Sequence, residues 1–382
     1  MIDKIKKLFA TGQPLEWLYP LFEAIDTFLL TPGKRTQKAP FVRDAIDLKR
    51  VMICVFLAVM PCFFMGVYNA GYQILLGQGA SVSFLACMGV GAMKVLPIVI
   101  VTYAVGGFWE VLFAIVRKHA ISEGFFVTGI LYALIMPPTL PLWQVAVGIS
   151  FGVVFAKEIF GGVGRNIVNP ALMGRAFIFF AYPLQFSGDQ IYVALDGLTK
   201  ATPLAVIAEA PRGTMAVDAL SRAGYGFWDA FSGLIPGSIG ETSALACFCG
   251  CAFLLVVGLI NLRIVAGCLA GLFVGGVLFN LSQGPQTLAM ATLPFHWHLV
   301  LGGFAFGAIF MATDPVTSAA TSVGQWIYGI LIGALTILIR VINPAYPEGM
   351  MLAILLMNVF APLIDYCVIG LHMQKRVRRW RT

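Results

Sequence analysis

Three carboxylates stand inside or at the edge of long apolar stretches of this 382-residue chain. Glu110 closes the run Gly106-Gly107-Phe108-Trp109-Glu110, Asp314 precedes Pro315, and Asp365 lies fifteen residues into the apolar run that starts at Met350. An ionisable side chain within a membrane span is costly and is therefore a functional candidate by default. Three acids, read with no intramembrane lysine to partner them, suggest the handling of a cation. Each has a structural rival: Glu110 pairing with Arg117 or Lys118, Asp314 capping a half-helix, and Asp365 lying near water beside Lys375 or Arg376.

Other residues have the chemistry to hold a ring. Gly106 and Gly107 open room beside Phe108 and Trp109, as the close approach of a ring or of another helix requires. The segment Gly161-Gly162-Val163-Gly164-Arg165-Asn166-Ile167-Val168-Asn169-Pro170 mixes glycines with two amides that offer hydrogen bonds to a polar ring system. It fails as a dinucleotide fingerprint because no strand precedes it. By itself the stretch Asp196-Gly197-Leu198-Thr199-Lys200-Ala201-Thr202-Pro203-Leu204 is a turn. Cys247, Cys249 and Cys251 tempt a metal reading, but on a helix Cys249 points away from the face shared by the other two. No structural metal is expected, and packing is the simpler account.

The elements that position these residues follow from composition. With 59% hydrophobic and 11% charged residues, the chain lies far from the roughly 25% charge of soluble domains. It reads as an all-α polytopic membrane protein, and the unbroken apolar runs exclude a β-barrel. The net charge of +7 is a matter of topology: nine of the 25 Lys and Arg lie in residues 1–50 and five in 375–381. Nucleic acid is not an expected partner. No cleavable signal peptide is visible.

Uncharged apolar runs give ten candidate spans, at about 51–68, 95–116, 124–136, 143–156, 171–186, 242–260, 264–281, 298–312, 325–342 and 350–371. The stretches 69–91, 137–142 and 282–296 are expected as outer connections. Both termini are expected on the cytoplasmic side of the membrane, with Arg117, Lys118, Lys157, Arg165 and Arg263 also inside. The organisation expected is a cytoplasmic tail 1–50, five spans in 51–186, a periplasmic segment 187–241, five spans in 242–371 and a basic tail 372–382. The third and eighth spans are short and stop at Pro137-Pro138 and Asp314-Pro315, as half-helices do. At a shift of 178 residues, Gly124, Phe126, Gly129, Pro137 and Thr139 match Gly302, Phe304, Gly307, Pro315 and Thr317. Asn169-Pro170-Ala171 recurs as Asn343-Pro344-Ala345. Two five-segment repeats of opposite orientation follow, since an odd number of spans inverts the second copy. Such folds belong to channels and transporters, with a polar or ligand-filled centre.

The Asp196–Thr202 stretch resembles the Asp-x-x-Ser/Thr-x-Ala-Thr motif at which a flavin transferase links FMN through its phosphate to the last threonine. Lys200 departs from the usual small residue, while Asp196, Thr199, Ala201 and Thr202 match. From about residue 15 onward the chain resembles the B subunits of bacterial sodium-translocating NADH:quinone reductases, most clearly at 106–110, 116–128, 137–143, 160–175, 235–241, 311–316 and 340–355. That resemblance implies a urea-channel-like fold and a translocase subunit within a multi-subunit complex in the lipid bilayer. It implies covalent FMN on Thr202, a non-covalent riboflavin, and a quinone site at Gly106, Gly107 and Glu110 in a bacterial inner membrane; the riboflavin is expected near Asn166, Asn169 and the Asp314 break, where amides and irregular backbone supply the donors and acceptors that its ring needs. Sodium is expected at Glu110 and Asp365, with Asp314. The D subunit of the ferredoxin:NAD reductase complex is the nearest alternative family. An inverted-repeat solute channel would share the fold but not the flavin motif.

Overall fold

Long apolar helices dominate the computed structural model, which describes residues 48–117, 124–183, 201–282, 284, 286–343 and 347–381. Five of them are long and apolar enough to cross a membrane. These are α1 (Leu48–Gly77), α2 (Phe84–Arg117), α10 (Leu262–Leu281), α13 (Ser322–Ile342) and α14 (Met350–Arg381). Shorter apolar helices fill the space between them: α3 (Gly124–Leu134), α4 (Leu142–Val153), α5 (Pro170–Ala181) and α9 (Ala244–Val257). With no strand among the described residues, the chain is an all-α polytopic membrane protein.

Several helices outrun the apolar runs that announce them. At about 1.5 Å per residue, α1 and α2 are each roughly 45–50 Å long, against about 30 Å of hydrocarbon. The expected outer connection 69–91 shrinks to residues 78–83. Helix α1 continues past Asn69 and Gln73 because both amides are buried and bonded: Asn69 Nδ2 donates to the Ile235 carbonyl at 2.8 Å and Gln73 Nε2 to that of Leu234 at 3.2 Å. Likewise α14 runs on through the basic tail to Arg381. The segment expected as one outer stretch, 187–241, carries α6 (Pro203–Glu209), α7 (Ala216–Arg222) and α8 (Phe227–Ser232) among its described residues.

Small residues draw the long helices together. A Cβ on Gly71 would strike the Cys87 carbonyl and one on Gly91 that of Val67, so α1 and α2 touch backbone to backbone. Gly271 and Gly333 do the same for α10 and α13.

Both expected half-helices are broken. The first, α3, stops at Leu134 ahead of Pro137. The second is α11 (Phe295–Val300), a turn at Gly302 and Gly303 with φ of 64° and 67°, then α12 (Phe304–Phe306) and a π-type turn over Gly307–Met311. Carbonyls freed at membrane depth need donors. Gly240 N donates to Leu134 O at 2.7 Å and Ile239 N to Met136 O at 3.1 Å, while the Arg175 guanidinium takes the Ile135 carbonyl. At the second break Arg340 donates to the carbonyls of His298 at 2.8 Å and Leu301 at 2.7 Å. Glu348 joins the two arginines, its carboxylate on Arg175 and its carbonyl 3.1 Å from Arg340 Nε. Arg175 also pairs with Glu241 at 2.8 Å.

Candidate functional site

Two cavities lie at the breaks. The larger, about 410 Å³, has the volume of a small-molecule site, for which roughly 300–1,000 Å³ is usual. Its wall includes Val51 and Val55 of α1, Gly124, Val127 and Thr128 of α3, Lys157, Asn166, Asn169, and the stretches 313–316 and 318–320. Asn169 caps α5, its Oδ1 accepting from Ala171 N at 3.0 Å and Leu172 N at 3.3 Å, while its Nδ2 reaches Asp314 Oδ2 at 3.4 Å. Asp314 also accepts from Val316 N and the Thr317 hydroxyl, both at 3.1 Å. Residues 145 apart in sequence thus meet on one cavity wall. Asn166 stands beside them, its Nδ2 donating to the Val168 carbonyl at 3.2 Å.

A sequence reading that counted only acids missed Lys157. After Val153 the helix α4 widens into a π-type turn, Val154–Glu158, marked by Ile159 N donating to Val154 O at 2.9 Å. An extra residue in a turn rotates everything beyond it, and such bulges recur at functional sites. Here it brings Lys157 into the interior, 2% exposed, where its ammonium pairs with Glu110 of α2, 4% exposed. Glu158, equally buried, pairs with Arg117 at 3.1 Å and lies 4.0 Å from the Lys157 ammonium. Glu110 thus has a lysine partner that the sequence reading did not give it, and Arg117 goes to Glu158 rather than Glu110, while Lys118 lies outside the described residues. The signal was available: a lone lysine at the end of an apolar run.

The two glycines of α2 differ. Gly106 is buried, and a Cβ there would lie 2.5 Å from the Phe125 ring and 3.0 Å from Ile149, so it is a helix-packing glycine. A Cβ on Gly107 would meet only the Phe125 ring, at 3.7 Å. Trp109 is fixed by its indole N–H on the Ser150 hydroxyl at 2.8 Å, and Phe108 is exposed. Only Gly107 therefore offers open space beside an aromatic surface.

Asp365 lies on α14 against the start of α13. Its carboxylate accepts from Ala320 N at 2.7 Å, Thr321 N at 2.9 Å and the Thr321 hydroxyl at 2.5 Å. That set of donors replaces the pairing with Lys375 or Arg376 considered from the sequence. Among the described residues no three His, Cys, Asp or Glu side chains converge as a metal site would need. Cys62 and Cys247 are buried with their sulfurs 3.7 Å apart, and Cys249 is exposed.

The smaller cavity, about 30 Å³, lies at the other break between Thr202, Ser238, Glu241, Gly302, Gly303 and Glu348. Thr202 is the N-cap of α6, with Oγ1 accepting from Ala205 N at 3.2 Å. That bond uses a lone pair and leaves the hydroxyl hydrogen available on a half-exposed side chain. Ala201 is fixed by the Tyr225 hydroxyl on its carbonyl at 2.7 Å. Asp196, Thr199 and Lys200 lie outside the described residues.

Comparison with known proteins places this arrangement. Residues 35–373 match the model of the NQR2, RnfD, RnfE family. A protein of Klebsiella pneumoniae subsp. pneumoniae, named as the B subunit of a Na(+)-translocating NADH-quinone reductase, is 52% identical over 408 aligned positions, covering 99% of this chain and 98% of the relative. Proteins of the same name from Pseudomonas paraeruginosa and Azotobacter vinelandii are 49% and 51% identical, each over 99% of this chain and 98% of the relative. By a family match over most of its length and by these relatives, the chain belongs to the NQR2, RnfD, RnfE family.

Proposed function

We propose that this chain is the B-type membrane component of a sodium-translocating NADH-quinone reductase, working within a multi-subunit complex in a bacterial inner membrane with both termini cytoplasmic. The two five-helix halves are read as inverted repeats, which puts the larger cavity on the inner side and Thr202 on the outer side. The observation that carries the reading is the larger cavity, where Asn169 and Asp314 meet at the junction of the two halves. Its volume, its largely apolar wall and its few amide, hydroxyl and carboxylate groups fit a riboflavin. Thr202, with an available hydroxyl on the rim of the outer cleft, fits the attachment of FMN by a separate flavin transferase. Bound there, the two flavins supply one-electron carriage between upstream centres in partner subunits and quinone.

The residues of the chain do the rest. Asn166 and Asn169 orient the riboflavin ring with amide groups. Gly107 leaves space for the quinone headgroup against Phe125. Glu110, Asp314 and Asp365 are the carboxylates proposed to draw sodium from the cytoplasmic side, since oxygen ligands offset part of the dehydration of a hard cation. Flavin fluorescence of the chain on a denaturing gel tests the reading: Thr202→Val is expected to abolish it. A fluorescent band at normal stoichiometry in the variant would move the attachment elsewhere, and no fluorescence in the natural chain would favour a solute channel.

A further inference from the structure

Lys157 and Asp314 are the two formal charges among the described residues that line the larger cavity, and they cancel. They are not spent on each other. The Lys157 ammonium pairs with Glu110 of α2 and lies 4.0 Å from Glu158. Asp314 accepts instead from one backbone N–H, one hydroxyl and one amide, with no cation among them. A carboxylate has about four lone-pair sites, so three donors leave room for one more. Both side chains open on the same space, and a lysine carries its ammonium on a flexible four-carbon stem. An ammonium and a sodium ion have the same charge and seek the same oxygens. Glu110 is 4% exposed, and two cations on one buried carboxylate would leave a positive charge uncompensated where little water reaches. Sodium arriving at Glu110 therefore has to displace the ammonium, and the displaced ammonium needs another acid. Glu158 is already taken by Arg117, which bonds its carboxylate at 3.1 Å and its carbonyl at 2.6 Å. Asp314 is the acid of the cavity lining that remains.

We propose that Lys157 is a tethered rival of sodium: its ammonium holds Glu110 while sodium is absent and moves to Asp314 when sodium takes its place. The inference rests on the reading of Glu110 as a sodium carboxylate and deepens it, by naming the residue that sets how much sodium is required. Charge balances in the exchange. One sodium ion enters, Glu110 trades one monovalent cation for another, and Asp314 gains the ammonium that Glu110 gives up. Neither state holds an unpaired buried ammonium, so the exchange avoids the cost of stripping a charge of its partner. Removing the ammonium makes Glu110 easier for sodium to take. Replacing it by a guanidinium makes Glu110 harder to take, because a guanidinium grips a carboxylate with two parallel donors.

The test uses the assembled complex and reads sodium in two ways. The first is the temperature of half-disassembly in sodium chloride against choline chloride at equal ionic strength. Lys157→Met is expected to gain about 3 °C from sodium, which fills the place of the missing ammonium, and the natural complex less than about 1 °C. Adding Glu110→Gln to Lys157→Met is expected to remove that gain. The second is the sodium concentration for half-maximal turnover, which Lys157→Met is expected to lower about threefold and Lys157→Arg to raise by a similar factor. Asp314→Asn is expected to raise it too, but to change nothing once Lys157 is methionine and no ammonium needs a receiver. A packing role for Lys157 would lower heat stability in both Lys157 variants and leave their sodium dependence unchanged, which overturns the proposal. Lys157→Arg keeps the charge and so decides the matter even where Lys157→Met does not assemble. An effect of Asp314→Asn that persists without Lys157 would make Asp314 a direct sodium ligand and refute the exchange. If Glu110→Gln raises the sodium requirement while neither Lys157 variant moves it, the rivalry is wrong and the sodium reading stands. If Glu110→Gln leaves the requirement unchanged as well, the sodium reading itself fails.

Discussion

Replacing Lys157 by methionine measures how firmly Glu110 is committed. Both side chains are almost wholly buried, at 2% and 4% exposure, so the carboxylate left behind loses its ammonium partner where little water can replace it. Removing one partner of a buried ion pair costs about 3–5 kcal/mol, whereas replacing both charges by neutral groups of similar volume is often close to neutral. Lys157→Met is therefore expected to destabilise the subunit by about 3–5 kcal/mol, and Glu110→Gln by a similar amount. The double variant is expected to lose less than about 2 kcal/mol, giving a coupling of at least about 4 kcal/mol, well above the few tenths seen between independent sites. The assay is the fraction of purified complex that stays assembled after heating across a series of temperatures, compared around the four-membered cycle. Additive losses would refute the reasoning, because the two buried charges would then not be coupled.

Gly106→Ala pushes a methyl group into Phe125 and Ile149 and is expected to cost about 1–3 kcal/mol of stability. Gly107→Leu is expected to raise the KM for quinone in a complex that assembles normally, and an unchanged KM would remove Gly107 from the quinone site. Asn169→Ser keeps a cap on α5 but loses the amide that reaches Asp314, so riboflavin content is expected to fall while stability changes by less than the roughly 0.5–2 kcal/mol of a lost cap. Full flavin content would leave Asn169 a capping residue only. Asp365→Ala is expected to raise the sodium concentration needed for half-maximal turnover; lower heat stability with unchanged sodium dependence would assign the residue to holding the start of α13 alone.

Spans were legible because apolar runs of the right length have few other uses. Their ends were not, because what lets a helix continue lies elsewhere in the chain. Asn69 and Gln73 look like the polar start of a loop, and they are buried helical residues only because the carbonyls of Leu234 and Ile235 come to meet them. Proline announced the break after α3. The second break owes as much to Gly302 and Gly303 in left-handed conformation, well before the Pro315 that the sequence put forward. A π-type turn leaves no mark in hydropathy, so Lys157 read as the first residue of a cytoplasmic connection.

Functional candidates were legible to different degrees for a physical reason. Thr202 and its neighbours form a local motif, readable from a few adjacent residues. Asn169 with Asp314, and Glu110 with Lys157, are pairings across the fold, and nothing near either member of a pair names the other. Cations at membrane depth were passed over, although an arginine in an apolar helix is as costly as an acid. Arg175 and Arg340 show what such residues do in this chain. A broken helix exposes carbonyls where no water can reach them, and a guanidinium has several donors in one plane, so each arginine serves a break that proline and glycine open. The charge of Arg175 is met by two carboxylates, Glu241 and Glu348, which lie beside Thr202, while Arg340 is held by backbone carbonyls and His298. The same reasoning separates the two cavities. At the Thr202 end both acids are matched to Arg175, which also holds the first break, whereas at the other end Asp314 is met only by neutral donors, and there the fold leaves a volume large enough for a ring.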